Sequence, residues 1–130
     1  MLRQAPIRVN TTGGAGVATG SGQTDEVIVG EILGIYLNFH ASAPGATTDT
    51  TFRTKGSGGG APSYTMLALT NTATDGYFAP RAKPVDNANA AITNAFAPFC
   101  VNDYLEVQVD QSNALTDAVV ATVFYDDKRG

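Results

Sequence analysis

Apolar and polar residues alternate with a period of two through Tyr104-Leu-Glu-Val-Gln-Val-Asp110, with Leu105, Val107 and Val109 on one face and Glu106, Gln108 and Asp110 on the other. That period predicts a half-buried strand, because successive side chains of an extended chain point to opposite sides. Ile32-Leu-Gly-Ile-Tyr-Leu-Asn-Phe-His40 predicts a second strand, with Leu33, Ile35, Leu37 and Phe39 on one face and Ile32, Gly34, Tyr36, Asn38 and His40 on the other, both faces covered at its start and one wet at its end. Ala118-Val-Val-Ala-Thr-Val-Phe-Tyr-Asp126 is apolar on both faces and rich in β-branched residues, the pattern of a central strand covered on two sides. The residues after it, Asp126-Asp-Lys-Arg-Gly130, read as a solvated tail.

Weaker alternation predicts strands over Pro6–Asn10, Gly16–Thr24, Glu26–Gly30, Thr48–Thr54 and Tyr64–Thr72. Thr12-Gly13-Gly14 suits a tight hairpin between the first two, since glycine tolerates positive φ. Gln111 to Asp117 has the length of a hairpin loop between the last two strong strands. Gly56-Ser-Gly-Gly-Gly60, followed by Ala61-Pro62, predicts a mobile loop tip. From Ala79 to Pro98 the alternation fades and Pro80, Pro84 and Pro98 interrupt it, which predicts a long ordered connection with at most a helical turn or two over Ala88–Phe96. About eight short strands without an assured helix predict an all-β fold, an antiparallel β-sandwich or small jelly roll. The chain has 130 residues, which fits one domain, 1–130, with residues 1–5 as an arm able to reach a neighbour.

Composition narrows the function. Charged residues are 15% of the chain and the net charge is −4, with basic residues scattered from Arg3 to Arg129. Without clustered phosphate contacts, nucleic acid is not an expected partner. The opening Met-Leu-Arg-Gln-Ala-Pro-Ile-Arg-Val-Asn has no apolar stretch of secretory-signal length, and no run approaches a membrane span, so neither export nor membrane association is expected.

Candidate chemistry is sparse. His40 is the single histidine and reads as a polar strand end. Cys100, the single cysteine, lies between Phe99 and Val101 and reads as a small buried core residue. Asp86, Asn87 and Asn89 offer oxygen atoms without the spacing of a calcium loop. The glutamates Glu26, Glu31 and Glu106 lie at strand edges or on wet faces. The expectation is therefore no catalysis, no cofactor and no metal.

The segment with most character is Asp75-Gly-Tyr-Phe-Ala-Pro-Arg81. Tyr77 and Phe78 are adjacent, so in an extended chain one enters the core while the other reaches outward. An outward aromatic beside a stiffening Pro80 and a charged Arg81 has the composition of an interface hot spot. With the arm, this makes Met1, Leu2, Arg3, Tyr77, Phe78, Pro80 and Arg81 the candidate partner interface. Tyr36, Tyr64, Tyr77 and Tyr104 are the candidate aromatic platforms for a sugar.

Leu67-Ala-Leu-Thr-Asn-Thr72, Asp75-Gly-Tyr-Phe-Ala-Pro-Arg81 and Val101-Asn-Asp-Tyr-Leu-Glu-Val-Gln-Val109 resemble segments of capsid decoration, or cement, proteins and related small head proteins of tailed bacteriophages. The resemblance covers mainly Tyr64–Tyr125. It implies a β-sandwich on the virion surface, made in the host cytoplasm, that stabilises the capsid through contacts with the major capsid protein or other virion proteins. It also implies self-association, often as a trimer. The alternatives are a carbohydrate- or receptor-binding module of a phage fibre or knob, and a head–tail connector or tail component.

Overall fold

A computed structural model describes residues 1–42, 44–56, 63–84 and 87–129. It contains β1 (Leu2–Val9), β2 (Ala18–Gln23), β3 (Ile28–Phe39), β4 (Asp49–Thr54), β5 (Thr65–Leu69), β6 (Gly76–Phe78), β7 (Arg81–Ala82), β8 (Ala97–Pro98), β9 (Cys100–Asp103), β10 (Leu105–Ser112) and β11 (Val119–Asp127). No residue described is helical. All strand pairs are antiparallel.

A five-stranded sheet runs β1-β11-β3-β6, with β9 also on β3, and a four-stranded sheet runs β2-β10-β4-β5. The two sheets share one core. Ile7, Val9, Ile32, Ile35, Leu37, Val119, Ala121 and Val123 contribute from the larger sheet; Phe52, Met66, Leu105, Val107 and Val109 contribute from the smaller. The fold is thus the antiparallel β-sandwich that the alternation implies. The inward set of β10 is the expected one, Leu105, Val107 and Val109, each fully buried. β11 is the expected central strand, paired to β1 on one side and β3 on the other, but only one of its faces is buried: Val120, Thr122 and Phe124 on the other are half-buried, because no further layer covers that side among the described residues.

Several expectations give way. The two strands expected over Glu26–Gly30 and Ile32–His40 are one, β3, a strand of 12 residues. Gly30 and Glu31 do not turn because both edges are held there, by Asp127 and Asp126 of β11 and by Val101 and Cys100 of β9. The expected β1–β2 hairpin is reduced to one bridge, Thr12 with Thr19, beyond which β1 joins the larger sheet and β2 the smaller. Gln111–Asp117 likewise carries the chain from one sheet to the other, and is no hairpin loop. The sandwich needs these crossings, because consecutive strands here supply opposite layers.

The Ala79–Pro98 connection is tied at its base by β7 and β8, where Arg81 pairs with Pro98 and Ala82 with Ala97. No helical turn forms in its described part. Ser57 to Gly60 of the expected loop tip lie outside the described residues, as do Ala61, Pro62 and Asp86; the flanking β4 and β5 pair antiparallel.

The chain ends differ most from expectation. Residues 2–5 are no free arm: Leu2, Arg3, Gln4 and Ala5 pair in register with Asp126, Tyr125, Phe124 and Val123. Nor is Asp126–Arg129 a loose tail. The Met1 amino group lies 2.7 Å from Asp126 Oδ1, Lys128 Nζ lies 2.8 Å from Asp126 Oδ2, and Arg3 Nε lies 2.8 Å from Asp127 Oδ2. Alternating charge at the two strand ends closes the ladder.

Hydrogen bonds from Lys128, then from the Met1 amino group, lower the Asp126 carboxyl from 3.8 to about 2. A carboxyl lowered by folding stabilises the fold above its ordinary value, and that contribution is lost as pH falls through the folded value. Titration from mildly acidic pH downward, followed by NMR of the Asp127 amide, which donates to the Met1 carbonyl, is therefore expected to report loss of this end contact with a midpoint at pH about 2. An Asp126→Asn variant is expected to remove the Asp126 part of that transition, leaving that of Asp127, whose carboxyl is also lowered, first by the hydrogen bond from the Arg129 amide.

Candidate functional site

The site is built on an irregularity in β3. Gly34 pairs with Phe124 of β11, but the next rung joins Ile32 to Tyr125, leaving Leu33 as an extra residue. A bulge of this kind shifts the phase of the alternation. Ile28 and Ile32 face the core before it and Ile35, Leu37 and Phe39 after it, while Leu33 and Tyr36 are not buried. The expected division of faces is corrected accordingly: Ile32 is fully buried, and Leu33 is only partly so.

β6 lies beside this bulge, with Tyr77 opposite Tyr36 and Phe78 opposite Ile35. Phe78 packs on the core and Tyr77 is 56% exposed, the opposed arrangement that adjacent aromatics on a strand require. The Tyr77 ring lies over Gly34, where an added Cβ would come within 2.0 Å of the hydroxyl. Only a residue without a side chain leaves that seat open. The hydroxyl donates to the Leu33 carbonyl at 3.3 Å, and Arg81 Nη1 donates to the same oxygen at 3.1 Å. The bulge carbonyl is thereby held by two side chains of the Asp75–Arg81 segment. Tyr77 also meets the Phe124 ring, centroids 6.0 Å apart and tilted by 56°.

Leu2, Leu33, Tyr36, Tyr77 and Phe124 line one shallow depression of about 360 Å³ on the outer face of the larger sheet. Leu2 is 67% exposed and Tyr36 41%. Four strands, β1, β3, β6 and β11, each contribute to this apolar surface. Polar residues adjoin it by register: Asp126 stands opposite Leu2, Asn38 lies two residues beyond Tyr36 on β3, and Arg81 reaches the Leu33 carbonyl.

The expected interface residues divide. Leu2 and Tyr77 belong to this face. Met1 and Arg3 lie at the end of the β1–β11 ladder, next to Asp126 and Asp127. Phe78 points into the core, and Pro80 is buried. Arg81 is exposed but directs its guanidinium to the carbonyls of Leu33 and Pro80. Leu33, Gly34 and Phe124 were not foreseeable from local pattern, since their placement depends on a bulge and on which strands become neighbours.

The other candidates are dispersed. Cys100 is exposed, not buried: β9 turns Val101 and Asp103 inward, so period two sends Cys100 outward. His40 Nδ1 accepts from the Ser42 amide at 3.0 Å. Glu106 pairs with Arg53 at 2.7 Å on the smaller sheet, away from Glu31 on the larger. Tyr64 stacks on Phe99 at 5.9 Å, and its hydroxyl donates to the Cys100 carbonyl at 3.0 Å; burial, then Cys100 and Asp103, raise its pKa. Of the four tyrosines considered as sugar platforms, Tyr36 and Tyr77 alone face each other across a strand pair among the described residues. No group of three or more His, Cys, Asp or Glu side chains is placed to hold a metal among the described residues.

Neither a protein-family model nor a curated protein matches the sequence. In structure the chain is similar to CBM32-3 from a family 31 glycoside hydrolase of Clostridium perfringens, with a TM-score of 0.37 and 12% identity, over 98% of this chain and 76% of that one. A likeness of that size carries no argument about what this chain binds.

Proposed function

We propose that this chain is a non-catalytic β-sandwich that docks on a protein surface through the outer face of its larger sheet, and that the surface is the shell of a phage particle, formed by its major capsid protein. The observation that carries the docking is the contiguous apolar face of Leu2, Leu33, Tyr36, Tyr77 and Phe124. Single exposed apolar residues need no explanation, but a joined set with a polar border is the composition of an interaction site. Tyr77, held by Gly34 and by the bulge carbonyl, loses little freedom on binding, which favours its use as an anchor. The capsid as partner rests on the resemblance of Tyr64–Tyr125 to decoration proteins, and Tyr77 and Arg81 lie within that stretch.

The test is cosedimentation of the purified chain with shells of the parent phage. Tyr77→Ala and Phe124→Ala are each expected to weaken binding by about ten-fold or more, since each removes a central anchor. Binding that is insensitive to both variants overturns the assignment of this face. Density for the chain on the head surface in a map of the particle supports decoration; density at the connector or tail overturns the capsid assignment while leaving the docking face standing.

One observation favours a second reading. Tyr36 and Tyr77 stand opposite each other on the sheet face, and paired aromatic rings suit a flat sugar. Glycan-array binding lost on Tyr36→Ala would select that reading over protein docking.

A further inference from the structure

β1 ends the larger sheet, and its backbone direction determines what its open edge can do. Asp127 donates its amide to the Met1 carbonyl at 2.8 Å, and the Met1 nitrogen donates to the Asp127 carbonyl at 3.2 Å. Met1 and Asp127 are therefore a hydrogen-bonded pair. By the alternation of an antiparallel ladder, Arg3, Ala5, Ile7 and Val9 also direct their N–H and C=O groups to β11. Leu2, Gln4, Pro6 and Arg8 direct theirs to the opposite edge.

That edge is covered at one end. Carbons added to Gly22 and Gly20 would lie 2.0 Å from the Arg8 carbonyl oxygen and 1.9 Å from that of Asn10, so β2 crosses against the backbone there. No strand pairs with the outer edge over Leu2–Pro6 among the described residues. A groove of about 420 Å³ is lined by Arg3 to Pro6 of this stretch together with Thr24, Asp25, Glu26 and the buried Ile28 and Tyr125. Proline at position 6 costs the β1–β11 ladder nothing, because its missing N–H would have faced the open edge.

We infer that a second copy of this chain pairs with this edge, antiparallel and about a two-fold axis at Gln4. Three features single out that occupant. The open stretch is self-complementary: Gln4 faces Gln4 of the other copy with reciprocal hydrogen bonds, and the Leu2 N–H of each copy meets the Pro6 carbonyl of the other. The register is confined: a centre on Pro6 forfeits both central donors, a centre on Ala5 sets Leu2 against Arg8, where β2 crosses, and a centre on Arg3 sets the two Arg3 side chains directly opposite each other. The charges complement: this register sets Arg3 of one copy opposite Ala5 of the other, over the groove walled by Asp25 and Glu26. Arg3 engages its own Asp127 through Nε, leaving its terminal nitrogens for that wall. The result joins two larger sheets into one continuous sheet with an isologous interface. It depends on the free edge of β1, so it stands or falls separately from the docking of the outer face.

The full chain is expected to sediment as a dimer at micromolar concentration. Gln4→Pro removes a donor that β11 does not use, so it should keep the wild-type thermal midpoint when both are measured dilute enough to be monomeric, while weakening dimerisation at least about a hundred-fold; at micromolar concentration the wild type should melt higher. In a Cys100→Ser background, Gln4→Cys should form an interchain disulfide on mild oxidation, since hydrogen-bonded antiparallel partners lie about 5.5 Å apart at Cα, within disulfide range. Tyr77→Ala should leave the dimer intact. A wild type that stays monomeric overturns the inference, as does a dimer that persists in Gln4→Pro or fails to cross-link at position 4. Protection of the Leu2 and Gln4 amides in the monomer by a segment of another protein would also overturn it, assigning the edge to a different occupant.

Discussion

Phe52→Ala is expected to remove about 4 kcal/mol of stability, the range for truncating a fully buried aromatic. Phe52 is 1% exposed in the middle of β4, with Val107 of β10 opposite it on one side and Leu67 of β5 on the other. It is the largest of the fully buried side chains, and it belongs to the core that both sheets share. Its loss empties space that the opposing strands cannot close, because each is held in register by its own ladder. The thermal midpoint should fall by about 15 °C. Urea unfolding should show a lower midpoint with an unchanged slope, the sign of lost packing without a change in the surface exposed. Phe52→Leu should recover more than half of the loss. A cost for Phe52→Ala below about 1 kcal/mol would mean that the two sheets do not share this core.

Gly22→Ala should cost about 3 kcal/mol, a large effect for one methyl group, because backbone and not a flexible side chain stands in its way. The new carbon would sit 2.0 Å from the Arg8 carbonyl oxygen and 2.9 Å from its carbon. Either β2 lifts off β1 or the β2–β10 pairing of Gly22 with Val107 gives way. Both open the seam where the sheets meet. The thermal midpoint should drop by about 10 °C. Alanine at Gly14, where only a Val17 methyl lies within reach at 3.3 Å, is the control and should change little. Equal effects at the two positions would contradict the close approach of β2 to β1.

Much of this architecture was legible along the chain. The strict alternation of Leu105 to Asp110 marked both the strand and its buried face, and the two-sided apolar run from Ala118 placed β11 at the centre of a sheet. Tyr77 and Phe78 diverge as adjacent strand residues must. What escaped has a common origin in partners distant along the chain. The bulge at Leu33 moves Ile32 into the core, and nothing local in Ile32-Leu-Gly marks it. Gly34 looks like a weakness in a strand until Tyr77 is seen lying on it. Cys100 between two apolar neighbours looks buried, yet the pairing of β9 with β3 turns it out. Of the outer face, only Leu2, Tyr36 and Tyr77 were marked along the chain, and not as one surface, because it exists only once β1, β3, β6 and β11 lie side by side.

The position of β11 also governs when this molecule can fold. It is the last of the strands in chain order, yet it is the partner of the first and of the longest. Until it emerges from the ribosome, β1 has no ladder and β3 lacks the neighbour along most of its length. Apart from the short pairings of β3 with β6 and β9, the larger sheet therefore cannot assemble while the earlier strands are being made, and Ile7, Val9, Ile35 and Leu37 wait for Val119 to Val123. Non-local pairing of this kind slows folding and prolongs exposure of unpaired edges. Pro6 in β1 and Gly30 and Gly34 in β3 lower the intrinsic strand tendency of these waiting segments, which reduces pairing with a wrong neighbour in the interval.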